Sequence, residues 1–201
     1  MSTTTLSLLD QAELLQLALN ASAANDSGTA IAYLKEATSR PDATAIAHYI
    51  LGAEYAQSKL YERAAVEMGK AVEIDPGLSI ARLQLGLLWL SGAAADKAVE
   101  VLTPLMDLSE TDPLRLFGKG LCHLIKDEFI DATECLQNGI KLNETNPALN
   151  SDMQKILNEI VVVLNKAETP QVMVAEAPKE GEEEEDGQHV LLSAYTRGTS
   201  H

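Results

Sequence analysis

The sequence predicts an all-α protein in which helical hairpins stack as a right-handed α-solenoid. Three series of residues repeat at intervals of 34 positions: Ala30, Ala64, Ala98 and Ala132; Leu34, Met68, Leu102 and Leu136; and Gly52, Gly86 and Gly120, with Ala18 in the equivalent place of the first copy. A fixed period of this length is typical of repeat architectures. Apolar residues recur at helical spacing in both halves of each copy. Because one hairpin cannot bury its apolar face alone, we expect consecutive copies to stack.

The second copy carries the most specific motif. It reads "AIAHYILGAEYAQSKLYERAAVEMGKAVEIDP", in which Leu51-Gly52, Tyr55, Ala64, Met68, Ala71 and Pro76 follow the pattern L-G-x2-Y…A-x3-F…A…P. The sequence therefore resembles the tetratricopeptide repeat family over four copies, near residues 11–44, 45–78, 79–112 and 113–146. The first copy departs from the pattern at Ala18 and Ala21, and the fourth has Lys119 and His123 where a leucine and an aromatic residue are expected. The small residues are predicted to lie where paired helices cross closely.

The composition divides the chain into a repeat domain over residues 1–166 and a tail. A capping helix is expected over 148–166, and its predicted apolar side holds Met153, Ile156, Leu157, Ile160, Val161 and Leu164. Residues 167–201 contain eight acidic residues against Lys179 and Arg197. The stretch 167–188 has almost nothing to bury, so it is predicted to be a disordered acidic linker.

The family resemblance implies a concave groove lined by the first helix of each copy. We call its ten predicted lining residues the groove set: Leu15 and Leu19, Tyr49 and Ala53, Leu83, Leu87 and Leu90, and Phe117, Leu121 and Leu124. Family members that hold a C-terminal carboxylate carry Lys, Arg and Asn in the groove, and these positions here are apolar. We therefore expect an apolar peptide ligand, either an amphipathic helix or an extended segment. Alternatively, these side chains pack between neighbouring helices.

An apolar segment, "HVLLSAYTRG", follows the acidic run and begins the predicted docking segment, residues 189–201. Its cluster of Val190, Leu191, Leu192 and Tyr195 is unexpected at the end of an acidic tail. The 22-residue linker has a root-mean-square span of roughly 25 Å if flexible. This predicts a segment that docks on the chain's own groove or capping helix, on a neighbouring subunit, or on another protein; alternatively, it stays unbound.

The charge and the missing motifs exclude several function classes. A net charge of −15 disfavours nucleic acid and anionic membranes as partners. The most apolar run, "LQLGLLWL", is too short to span a bilayer, and the N-terminus does not read as a signal peptide, so we expect a cytoplasmic chain. No phosphate-binding loop, nucleophile motif or metal-spaced cysteine pair is present, and the histidines are scattered. We therefore expect no enzyme activity, no cofactor and no metal.

These observations favour a non-catalytic adaptor or chaperone that binds an apolar peptide of a protein partner. The first alternative is a scaffold that self-associates through tail-to-groove contacts. In size, repeat number and acidic balance the chain also resembles the secretion chaperones of bacterial type III systems, which shield apolar regions of their substrates. That second alternative rests on likeness of kind and on no shared motif.

Overall fold

The computed structural model describes residues 6–168, and within that range the regular structure is helical, with no β-strand. The helices are α1 (Gln11–Ala23), α2 (Ser27–Thr38), α3 (Ala45–Gln57), α4 (Tyr61–Ile74), α5 (Ser79–Ser91), α6 (Ala95–Leu102), α7 (Pro113–Ile125), α8 (Phe129–Leu142) and α9 (Pro147–Glu168). A 3-10 helix, Thr103–Asp107, continues α6. The predicted all-α fold is confirmed. No helix among the described residues is long and apolar enough to cross a membrane.

Polar side chains begin several of these helices. Asp10 precedes α1 and forms a capping box with Glu13, in which each side chain accepts a hydrogen bond from the other residue's backbone N–H at 2.8 Å. Thr44 and Asp112 each accept one hydrogen bond from a backbone N–H in the first turn of α3 and α7, respectively. Pro113 opens α7, where its missing N–H leaves no helical bond unmade.

The turn inside each hairpin repeats the same backbone conformation. Four residues at intervals of 34 positions adopt left-handed φ angles of 56–60°: Asn25, Lys59, Ala93 and Asp127. The N–H after the turn residue then donates to a carbonyl five residues earlier, as in Leu60 to Tyr55 at 2.8 Å and Glu128 to His123 at 3.0 Å. These bonds satisfy carbonyls that the ending helix leaves open. The sequence gives little sign of this turn, since a lysine and an alanine occupy two of its four positions.

The prediction that small residues allow close helix crossing is confirmed in three hairpins. A Cβ built on Gly52 would lie 2.7 Å from Met68 Cγ in α4. A Cβ built on Gly86 would lie 2.5 Å from Leu102 Cδ2, and a Cβ built on Gly120 would lie 2.8 Å from Leu136 Cδ2. Any larger side chain at these glycines would collide with the paired helix.

Contacts divide the described chain into two compact units. Unit 1 comprises residues 6–89 and 96–105, and unit 2 comprises residues 90–95 and 106–168. A core cluster of unit 1 joins α1 to α4 through Leu14, Leu34, Leu51, Tyr55 and Ala64, with further members of the same helices. In unit 2 the largest fully buried side chains include Phe117, Leu121, Leu136, Met153 and Ile160.

Helix α9 packs against α8 and differs in two ways from its predicted form. Met153, Ile156, Leu157 and Ile160 are buried, as their spacing predicts, but Val161 is 55% and Leu164 36% exposed. The side chains on the predicted apolar side of α9 are therefore buried as far as Ile160 and exposed at Val161 and Leu164. The helix ends at Glu168, two residues inside the stretch predicted as linker.

Candidate functional site

Unit 1 carries six members of the groove set on three first helices. Leu19 of α1 is 47% exposed, and the side chains of Leu15, Tyr49, Ala53 and Leu87 are partly exposed. Leu83 of α5 is fully buried, so for this residue the expectation of a groove-lining position is wrong. Its side chain has the same burial as the core residue Leu102. Within the groove set, the accessible apolar side chains of unit 1 are therefore Leu15, Leu19, Tyr49, Ala53 and Leu87.

Sequence reasoning missed one exposed residue of this surface, Ile46. It lies at the start of α3 and is 43% exposed. With Tyr49 and Ala53 it has the spacing i, i+3, i+7, which places all three on one face of the helix. That spacing from Tyr49 is the signal that could have found it. We call Leu15, Leu19, Ile46, Tyr49, Ala53 and Leu87 the unit 1 surface.

A polar link joins the two first helices that carry most of the unit 1 surface. Ser22 of α1 donates a hydrogen bond through its Oγ to Oε1 of Glu54 in α3. Glu54 is only 2% exposed, and its Oε2 has no hydrogen-bond partner among the described residues. Loss of the Ser22 contact would leave the buried side chain of Glu54 without any hydrogen-bond partner, which is costly. Burial also raises the pKa of Tyr49, so its hydroxyl remains neutral and able to donate a hydrogen bond at pH 7.

A second polar contact fixes α3 against α4. The buried His48 places its Nδ1 2.6 Å from Oε2 of Glu67, and Lys70 Nζ lies 3.0 Å from the other oxygen of that carboxylate. His48 is therefore a packed residue with a satisfied partner. Together with the Ser22 link, this contact fixes α3 on two sides.

Unit 2 carries the remaining four members of the groove set, and most of them are not accessible. Phe117 and Leu121 are fully buried and Leu124 is 9% exposed, whereas Leu90 is partly exposed. The expectation that the three α7 residues line an open groove is therefore wrong. For Phe117 the reason is local: its ring lies over Gly139 of the paired helix α8, with Cε1 2.5 Å from the place of a Cβ on that glycine. The ring fills the space that the missing side chain leaves.

The tail residues predicted to dock, Val190, Leu191, Leu192 and Tyr195, lie outside the described residues, as do residues 169–188 of the predicted linker.

One cluster of possible metal ligands occurs in the described part of the chain. His123, Glu128 and Asp131 each offer one ligand atom, and the three atoms lie within 4.8 Å of one another. His123 Nδ1 and Glu128 Oε2 are 2.6 Å apart. The hydrogen bond from His123, assisted by the charge of Lys126, holds the pKa of Glu128 below its usual value, so its carboxylate is ionised at neutral pH.

The chain matches no protein-family model and no curated protein. Its fold is similar to solved structures of MamA. One MamA crystal structure aligns with a TM-score of 0.56 and 21% identity, covering 69% of this chain and 81% of that one. MamA from residue 41 to its end, from Desulfovibrio magneticus RS-1, aligns with a TM-score of 0.55 and 16% identity, covering 80% and 99%. At these identities the likeness is one of fold, and this chain has a tetratricopeptide-like helical-repeat fold.

Proposed function

We propose that this chain is a protein-binding module of four tetratricopeptide copies without catalytic activity, and that the unit 1 surface binds an apolar peptide segment. The observation that carries the proposal is the exposure of Leu19 and Ile46 on two first helices that the Ser22–Glu54 bond joins directly. Large exposed apolar side chains at the sites where repeat proteins bind ligands favour a binding role. Because the contacts of Ser22 with Glu54 and of His48 with Glu67 already hold α3 in place, less conformational freedom is lost when a peptide binds.

The chemistry of the surface indicates which peptides fit. Leu15, Leu19, Ile46 and Leu87 offer aliphatic contacts, and Tyr49 adds a ring with a neutral hydroxyl. A ligand with two or three aliphatic or aromatic anchors satisfies such a surface, since a few buried anchors supply most of the binding energy. A ligand recognised through a terminal carboxylate does not fit, because no Lys or Arg belongs to the surface.

The chain's own docking segment is one candidate ligand. Its sequence "VLLSAY" supplies aliphatic and aromatic anchors of the expected kind. Bound within one chain, it acts as a plug that a partner displaces. Bound between chains, it makes the protein a self-assembling scaffold.

A displayed peptide library selected on the full chain tests the binding role. We expect enrichment of peptides with spaced apolar anchors, and at least a tenfold loss of affinity for them in the Leu19→Ser, Ile46→Ser double variant. Both side chains are exposed, so these replacements leave the fold intact. The matched control is Val66→Ser, which removes a 57% exposed aliphatic side chain from the second helix α4 of the same unit. Equal affinity of the double variant and the control would refute the proposed surface.

A synthetic peptide of residues 189–201 separates the candidate ligands. If the tail is the ligand, the peptide binds a chain that ends at Glu168 and binds the intact chain more weakly. Light scattering then distinguishes the plug from the scaffold, because only the scaffold loses mass when the tail is removed. A peptide that binds neither chain would exclude the tail as ligand and leave the binding of foreign peptides to the library selection.

A further inference from the structure

The turn of the fourth hairpin brings together three side chains of the kinds that bind transition metals. His123 lies near the end of α7, Glu128 directly precedes α8, and Asp131 lies in its first turn. The imidazole nitrogen and the two carboxylate oxygens lie within 4.8 Å of one another. Each comes from a different part of one tight turn, so they converge without help from another hairpin.

The backbone holds these ligands in place. Asp127 takes the left-handed conformation with φ 59°, and the N–H groups of Lys126 and Glu128 both donate to the carbonyl of His123 at 3.0 Å. A site on such a fixed turn loses little freedom when an ion binds. The side chains of His123 and Glu128 are 23% and 44% exposed, which gives an ion direct access from solvent.

The second and third hairpins use the equivalent positions for packing. In the second copy these positions hold Tyr55, Leu60 and Arg63, and Tyr55 is buried in the core with the Arg63 guanidinium 5.9 Å from its ring centre. In the third copy Lys97 lies 4.7 Å from the ring centre of Trp89. The fourth copy thus replaces an aromatic residue and a cation by an imidazole and a carboxylate. In place of the cation–π contact, the fourth copy has a contact of 2.6 Å between His123 Nδ1 and Glu128 Oε2.

We propose that His123, Glu128 and Asp131 bind a divalent transition-metal ion of the Zn²⁺ class. Zn²⁺ takes histidine nitrogen and carboxylate oxygen at about 2.0–2.2 Å in tetrahedral geometry, which separates its ligand atoms by roughly 3.4 Å. Rotations of exposed side chains bring atoms that lie within 4.8 Å of one another to that separation. The imidazole favours Zn²⁺ over Mg²⁺ and Ca²⁺, which prefer oxygen ligands alone. Water completes the coordination.

The bound ion would connect the end of α7 to the start of α8. Three ligands on a surface site give moderate affinity, and the positive charge of Lys126 near Glu128 lowers it further. We therefore expect a dissociation constant on the order of micromolar, weakening in acid as protons compete for the ligands. Because the ion binds the folded state alone, it raises the stability of that state with the logarithm of the ion concentration above the dissociation constant.

Calorimetric titration of the full chain with Zn²⁺ tests the site, and thermal unfolding with and without the ion gives a second readout. We expect one saturable site and at least a tenfold loss of affinity in His123→Ala and in Asp131→Asn. Asp96→Asn is the matched control, because it removes an acidic residue from the first turn of the second helix α6. A His189→Ala, His201→Ala double variant controls for the histidines of the tail and should bind as the parent does.

Two results would overturn the proposal. One is the absence of saturable Zn²⁺ binding to the parent chain in the micromolar range. The other is binding that survives His123→Ala and Asp131→Asn and is lost in the double variant of the tail. The Asp131→Asn variant keeps the inference testable if His123→Ala disturbs the turn.

Discussion

The first helices of the second and fourth copies, α3 in unit 1 and α7 in unit 2, use one repeat position in opposite ways. Tyr49 of unit 1 and Phe117 of unit 2 are 68 positions apart, which is two repeat lengths. Tyr49 is partly exposed on α3, whereas Phe117 is fully buried on α7. The residue at the corresponding place of the paired helix differs as well: it is Ala71 in α4 and Gly139 in α8. The paired helix therefore carries a methyl group at this place in the second copy and none in the fourth.

This difference shows that a repeat position alone does not decide between surface and core. Phe117 is buried because its ring occupies the space over Gly139. Ala71 is itself fully buried and has a Cβ at the corresponding place. Our interpretation is that this Cβ keeps the Tyr49 ring from the equivalent position and leaves it partly exposed.

The largest expected effect is the difference in stability between variants that lose the Phe117 ring and variants that lose the Tyr49 ring. Phe117→Ala removes a fully buried ring and is expected to lower the free energy of unfolding by about 3–5 kcal/mol. Tyr49→Ala removes a partly exposed ring and should cost about 1 kcal/mol. Urea denaturation of both variants measures the difference. If the two losses were equal, burial would not distinguish the two positions.

A smaller loss is expected when Gly139 is given a side chain. Gly139→Ala places a Cβ 2.5 Å from Phe117 Cε1, so the ring has to move, at a cost of about 1–3 kcal/mol. The displaced ring should also become more accessible. The control is Gly69→Ala in α4, where the new Cβ would meet open space beyond its chain neighbours and the backbone of its own helix. That control should stabilise the protein by about 0.5–1 kcal/mol, since alanine favours the helix. A stabilised Gly139→Ala variant would contradict the packing explanation.

The smallest effect concerns the turn conformation that both units share. Ala93 has φ 56°, a conformation that costs a residue with a Cβ roughly 1 kcal/mol and costs glycine almost nothing. Ala93→Gly should therefore stabilise the protein by a few tenths of a kcal/mol, after the greater flexibility of glycine in the unfolded chain is counted. The control is Ala32→Gly at an exposed position inside α2, which should destabilise by about 0.5–1 kcal/mol. If thermal unfolding showed that Ala93→Gly and Ala32→Gly change the stability in the same direction, the turn would not be strained.

The sequence predicted the fold well and the candidate surface only in part. The 34-residue spacing of small residues predicted the helical hairpins and the close crossings at Gly52, Gly86 and Gly120, because only small residues permit such an approach. The same register misassigned Leu83, Phe117, Leu121 and Leu124, and it omitted Ile46. A register position specifies the direction of a side chain from its own helix. It does not specify what the neighbouring helix leaves uncovered.

The sequence by itself determined that this chain forms helical hairpins, approximately where each copy begins, and which small residues let the paired helices meet. These features follow from local periodicity and side-chain size, which are properties of the chain alone. Only the tertiary structure decided which apolar residues of the first helices stay accessible, that Glu54 and Ser22 are hydrogen-bonded, and that His123, Glu128 and Asp131 converge beside Asp127. Each of these depends on distances between residues of different helices or on a left-handed turn, and no sequence spacing fixes such distances.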